Sequence, residues 1–189
     1  MRRGVSPMVA TQQRGLKMHE YQAAEILAGY GIPVPQGFVA GNADEAFDVT
    51  GKFGSHVKGY VIKSQALCGG RGMGHFKETG FQGGVKVVDT REEIKAMAKE
   101  FCGNTLVTKQ TGEKGLPVNK VYIVEKIGVD KEIYFSVTLD RQAAKICFIY
   151  SAAGGMNIED VAENEPEKIN KLWVDINGEI SPGALAGAA

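Results

Sequence analysis

Lys63 closes the short apolar run Tyr60-Val61-Ile62, and five residues later a glycine-rich stretch begins, Cys68-Gly69-Gly70-Arg71-Gly72-Met73-Gly74, with Gly80, Gly83 and Gly84 close behind. Glycines without Cβ let backbone N–H groups crowd an anion such as a phosphate, and an arginine adds charge and a planar fork of donors. The stretch matches neither GxGxxG nor the Walker pattern, so by itself it reads equally as a phosphate cover or as a plain surface loop. Lys63 sharpens the choice. An ammonium at the end of a buried strand must snorkel to solvent or meet an anion, because burying it unpaired is costly. A polyphosphate gripped by both elements would be that anion.

Glu125 and Glu132 form a second candidate pair. Val121-Tyr122-Ile123-Val124 is apolar up to Glu125, and Ile127-Gly128-Val129 bends the chain before Glu132 opens the next strand. Carboxylates at strand ends beside a small-residue bend can accept hydrogen bonds from a ribose or a base amino group. As ordinary glutamates they would simply flank a turn in solvent.

These groups must be positioned by an alternation of helical and extended segments, which predicts an α/β or α+β domain. Tyr21, Ala24, Leu27 and Ala28 share a helical face that ends by Gly29 to Gly31, ahead of Pro33 and Pro35, and Gly37 to Ala40 read as a strand. Asn42 with Glu45, and Thr90 with Glu93, are helix-start signals. The second of these helices carries Ile94, Met97, Ala98 and Phe101 on one stripe and stops at Gly103. Strands are expected at 60–62, 85–88, 105–110, 120–126, 132–139 and 146–151, the last two joined as a hairpin around Asp140 and Arg141. A short helix is expected over 158–164, with Pro166 starting another turn through Ile169, and 177–189 read as a loose tail.

Composition bounds the rest. At 189 residues and 43% hydrophobic content the chain can bury a core, and 22 basic against 22 acidic residues leave no field suited to a nucleic-acid backbone. No apolar run approaches the roughly 18 residues that span a bilayer. Cys68, Cys102 and Cys147 are odd in number and far apart, and His19, His56 and His75 are equally scattered, so a reducing compartment is favoured and a His/Cys metal site is not. Residues 1–18 hold Arg2, Arg3, Arg14 and Lys17 without an acid, which reads as an organellar transit peptide or as an untidy terminal extension.

Several motifs together resemble those of succinyl-CoA synthetase β subunits: His19-Glu20-Tyr21-Gln22, Val61-Ile62-Lys63-Ser64-Gln65, Gly69-Gly70-Arg71-Gly72, Gly83-Gly84-Val85-Lys86, Leu106-Val107-Thr108-Lys109-Gln110, Pro117-Val118-Asn119-Lys120 and Ile158-Glu159-Asp160-Val161-Ala162. The likeness runs from His19 to about Asp175. It implies an ATP-grasp fold over 19–176, with two lobes around a nucleotide cleft. It implies that Lys63 contacts phosphate, that Gly70, Arg71 and Gly72 form part of the nucleotide-binding loop, that Glu125 and the backbone near Gly128 meet the base, and that Glu132 completes the pocket at the ribose. Pro35 resembles the ATP-preferring pattern, where GTP-preferring forms tend to carry glutamine.

The resemblance further implies a ligase of the tricarboxylic acid cycle, in the mitochondrial matrix or a related organelle and otherwise in the cytoplasm. It uses ATP/ADP or GTP/GDP with Mg2+, and passes a phosphoryl group to a histidine on a partner α subunit, then to succinate, before CoA displaces phosphate. Such a site works by positioning and charge neutralisation, and no catalytic acid or base is assigned to this chain. Typical β subunits continue beyond this length, and their further part carries the asparagine and aspartate that hold Mg2+ and a flavodoxin-like ligase domain; the chain by itself is expected to be inactive. Malate–CoA ligase β, the amino-terminal part of ATP-citrate lyase, and a non-catalytic nucleotide-binding or assembly module are the competing readings.

Overall fold

The computed structural model describes residues 17–155 and 158–180. The basic leader, apart from Lys17 and Met18, and the tail from residue 181 lie outside the described residues. The chain forms two compact units, the first ending at Lys126 and the second beginning at Ile127.

In the first unit the elements run α1 (Glu20–Gly29), β1 (Gly37–Ala40), α2 (Ala43–Val49), β2 (Tyr60–Ser64), β3 (His75–Phe76), β4 (Val85–Val88), α3 (Arg91–Phe101), β5 (Thr105–Val107), β6 (Leu116–Pro117) and β7 (Val121–Glu125). Four strands make an antiparallel sheet in the order β1-β7-β2-β4. Alternation along β2 sends Ile62 and Ser64 to one face, where both are fully buried, and Lys63 to the other.

The face of Ile62 holds the core. Ile62, Val121 and Ile123 pack with Ala46 of α2 and with Ile94, Ala98 and Phe101 of α3. Phe76 and Phe101, both wholly buried, stack with ring centroids 4.9 Å apart. Removing one such ring from water is worth roughly 1.5–3 kcal/mol, enough to fix α3 over the small sheet β3-β5-β6.

Local chemistry explains the helix starts. Asn42 accepts a hydrogen bond from Glu45 N at 2.9 Å. Thr90 Oγ1 accepts from Glu93 N at 3.2 Å while Glu93 Oε2 accepts from Thr90 N at 3.0 Å, a closed capping box. Two expectations need correction. The strand predicted over 105–110 stops at Val107, because Thr108 and Thr111 close a turn through backbone and hydroxyl bonds. The stripe on α1 is shallower than its periodicity implied: every residue of the helix keeps some exposure, and Leu27 on the stripe is 41% exposed.

In the second unit β8 (Tyr134–Asp140), β9 (Lys145–Ser151), α4 (Ile158–Asn164) and β10 (Asn170–Val174) form a sheet in the order β10-β9-β8 with one helix. The predicted hairpin is present: Asp140 Oδ1 accepts from Gln142 N and Ala143 N, each at 3.0 Å, and Asp140 pairs with Lys145. Pro166 opens a single 3-10 turn, Pro166–Lys168, as its fixed φ favours. Strand β10 was not foreseen. It aligns Trp173 opposite Cys147, and Trp173 Nε1 donates to Asp140 Oδ2 at 2.8 Å. No helix among the described residues is long and apolar enough to cross a membrane.

Candidate functional site

Lys63 pairs in register with Tyr122 on β7 and Val85 on β4, so its side chain rises from the middle of the sheet on the face away from α2 and α3. Its anion is a residue of this chain. Lys63 Nζ donates to Glu20 Oε1 at 2.6 Å, and Arg71 NH2 donates to Glu20 Oε2 at 2.6 Å. Burial works against ionising Glu20, but the hydrogen bonds and charges of Lys63 and Arg71 outweigh it and lower its pKa below the ordinary carboxylate value. All three side chains are a fifth to a third exposed, so the cluster is partly open to an incoming ligand.

The glycine segment is anchored beside this cluster, at the end of β2. Gly70 takes a left-handed conformation, φ 70°, and leads into a 3-10 turn, Arg71–Met73. Arg71 O accepts from Gly84 N at 2.8 Å, and Gly83 N donates to Gly74 O at 2.7 Å, which closes the loop at its neck. Gly84 O in turn accepts from both the backbone and the hydroxyl of Ser64, each at 2.8 Å. Arg71 NH1 donates to Ser64 O at 2.7 Å, so the guanidinium is held from two sides. Gly72 is exposed, and a Cβ there would meet nothing within 4 Å, so the backbone is open to close approach.

Beside the cluster a cavity of about 740 Å³ is lined by Glu20, Arg71, Cys68, Gly69, Gln110 and Lys114 over an apolar floor of Ala66, Leu67 and Leu116. Its volume falls within the range usual for small-ligand sites. Lys63 is not among its lining residues. A second hollow of about 450 Å³ contains Pro35 with Tyr21, Glu25, Gln36 and Tyr122. Since Tyr122 is the partner of Lys63 across the sheet, the two hollows flank one continuous face.

Glu125 is tied to the Pro35 segment. Its Oε1 accepts from Gln36 N at 2.7 Å, its own N donates to Gln36 O at 2.9 Å, and His56 Nε2 lies 3.6 Å from Oε2. By strand register Glu125 shares a face with Ile123 and Ile62, opposite to that of Lys63. Gly128 and Glu132 belong to the second unit, where both are exposed. Glu132 O accepts from Gly154 N at 3.2 Å, and its carboxylate lies where a side chain at Gly155 would otherwise be. The structure therefore brings Lys63 and Arg71 together through Glu20, and Pro35 and Glu125 together through Gln36. Glu20 entered the sequence reading only within the His19-Glu20-Tyr21-Gln22 motif, without a role, because an acid in the first turn of a helix is ordinary beside the helix dipole.

Among the described residues no group of three or more His, Cys, Asp or Glu side chains could hold a metal ion. His19, next to the cluster in sequence, has its pKa lowered by burial and by the charges of Lys120 and Arg71, which favours the neutral imidazole.

A strand lysine and a glycine-loop arginine converging on one anion, in a chain of antiparallel strands and helices, suit a domain that grips phosphates, and residues 17–187 match the ATP-grasp domain; the chain belongs to the ATP-grasp family. Its relatives are more particular. It is 44% identical over 170 residues to the mitochondrial beta subunit of the ADP-forming succinate–CoA ligase of Saccharomyces cerevisiae, covering 90% of this chain and 39% of that protein. It is 47% identical over 161 residues to the beta subunit of the ADP-forming succinate–CoA ligase of Acidobacterium capsulatum, covering 85% and 39%. The ATP citrate lyase of Methanothrix soehngenii, solved in complex with citrate and coenzyme A, shares the fold with a TM-score of 0.57 at 18% identity, over 85% of this chain and 35% of that one. The chain spans about two fifths of the length of the curated relatives it matches.

Proposed function

We propose that this chain is the nucleotide-binding part of the β subunit of an ADP-forming succinate–CoA ligase. In that enzyme it would couple the interconversion of succinyl-CoA and succinate to ATP, through a phosphohistidine on an α subunit. The observation that carries the reading is the convergence of Lys63 and Arg71, one from β2 and one from the glycine loop, on a single carboxylate. Two cations from separate elements that can share one anion can also share the oxygens of a polyphosphate. The identity to ligase β subunits of yeast and a bacterium supports the particular chemistry.

In this reading Lys63 and Arg71 neutralise phosphate charge, and the exposed backbone of Gly70 and Gly72 lets the loop lie close to it. Pro35, held through Gln36 by Glu125, borders the base and favours adenine. Gly128 and Glu132 serve the base and the ribose. Phosphoryl transfer asks this chain for positioning and charge rather than for a nucleophile, which fits a site of lysine, arginine and glycine.

Mg2+ is a separate matter. It demands several oxygen ligands in near-octahedral order, and the carboxylates around Lys63 and Arg71 do not supply them, since Glu20 is committed to both cations. The mitochondrial matrix or a related organelle is the compartment favoured, in line with the yeast relative's mitochondrial subunit.

The test combines this chain with the α subunit of an ADP-forming succinate–CoA ligase and with ATP labelled on its terminal phosphate. Acid-labile label on the α subunit is the expected result. ATP binding without any labelled histidine on α would replace this reading with that of a non-catalytic nucleotide-binding module.

A further inference from the structure

Lys63 and Arg71 carry like charges on neighbouring elements, and both side chains are long and rotamer-rich, so left to themselves they would splay apart into solvent. Glu20 prevents this. Its two oxygens are divided between the cations, Oε1 to Lys63 Nζ and Oε2 to Arg71 NH2, each at 2.6 Å. The carboxylate comes from the first residue of α1, fixed by the start of the helix, where His19 N donates to Gln22 Oε1 at 2.9 Å. The guanidinium gains a second anchor on Ser64 O at 2.7 Å.

Donor counting shows what this leaves over. An ammonium has three N–H groups and a guanidinium five. Among the described residues one of the former goes to Glu20, and two of the latter go to Glu20 and Ser64. Both cations therefore keep donors for a further anion while Glu20 stays in place, and the trio retains a net positive charge.

Resting on the nucleotide-binding reading above, we propose that Glu20 is a positioning residue for the polyphosphate. It bridges Lys63 and Arg71 and sets their spacing before the ligand arrives, so that a triphosphate is met by two oriented cations. Glu20 touches the cations and not the phosphate. It acts through them.

Binding of ATP, inorganic tripolyphosphate and adenosine to the full chain and to Glu20→Gln by isothermal titration decides the matter. Glutamine keeps the shape but gives up the charge, and its NH2 group turns a donor toward one of the two cations. The variant is expected to bind ATP and tripolyphosphate about tenfold more weakly, with adenosine changed less than about twofold. In a Lys63→Met background the same change should cost clearly less, because one of the two groups it orients is already gone.

Unchanged or tighter ATP binding by Glu20→Gln would overturn the proposal, tighter binding because it would make the carboxylate a competitor of the phosphate. Equal losses for ATP and adenosine would overturn it as well, by showing a general structural role. Wild-type chain that binds neither ATP nor tripolyphosphate would instead remove the nucleotide reading, and this proposal with it. Should Glu20→Gln fail to fold, Glu20→Asp is read by the same rule, with a smaller loss expected.

Discussion

Gly84 lies directly beneath Ser64: a Cβ added at Gly84 would sit 2.5 Å from Ser64 Oγ and 3.1 Å from Arg71 O. The end of the glycine loop and the end of β2 thus meet at a spot with no room for a side chain. At this point the absence of Cβ in the loop is a packing requirement, separate from any approach to ligand.

Gly84→Ala should therefore destabilise the fold by about 1–3 kcal/mol, the usual cost of overpacking. Ser64→Ala in the same chain removes the nearer clash and should restore part of the loss, although Arg71 O remains close. Urea midpoints of the two single variants and the double variant measure this. Additive losses would show that the two sites are not in contact.

Lys63→Met should weaken ATP binding by about tenfold or more and leave adenosine nearly untouched, since it removes a charged donor and none of the residues around Pro35. Competitive titration with the two ligands reports the ratio. Equal loss for both would detach Lys63 from the phosphate.

Cys102 is expected to be inert in the native protein. Burial, with a smaller contribution from the charge of Glu45, pushes its thiol up to about 11, so little thiolate forms near neutrality. Iodoacetamide at about pH 8 should leave the Cys102 peptide unmodified in buffer and alkylate it in urea, where an ordinary thiol pKa near 8.5 returns. Peptide mass spectrometry reads both conditions, and rapid native labelling would contradict the burial of this side chain.

Acid should dissolve the bridge at Glu20. Its pKa in the folded chain is lower than in the unfolded chain, so its contribution is complete above the ordinary glutamate value of about 4.3 and is lost as pH falls through the lowered folded value. A carboxylate one third exposed is partly screened by water, which keeps the effect modest. The stability difference between wild type and Glu20→Gln should shrink as pH drops below about 4, by urea unfolding along a pH series. A constant difference would place the carboxylate outside the bridge.

What could be read from the chain beforehand was mostly local. Thr90 with Glu93 and Asn42 with Glu45 announce their helices because the bonding partners lie three residues apart. The tie between Lys63 and Glu20 spans 43 positions, that between Arg71 and Glu20 spans 51, and that between Gln36 and Glu125 spans 89. No periodicity marks such partners; only the tertiary fold brings them together. That Lys63 would snorkel or meet an anion followed from its charge, and the glycine loop beside it favoured the anion, whereas finding Glu20 there required the placement of α1. Strands β3 and β6, two residues each, are too short to leave an alternation pattern, and β10 was hidden by Pro166 just ahead of it.

Trp173 is the one tryptophan of the chain, and it is hydrogen-bonded to Asp140 within the second unit. Selective excitation of indole emission therefore watches the β8-β9-β10 sheet. Paired with circular dichroism, which sees both units, it separates the melting of one half of the molecule from the other without attaching any dye.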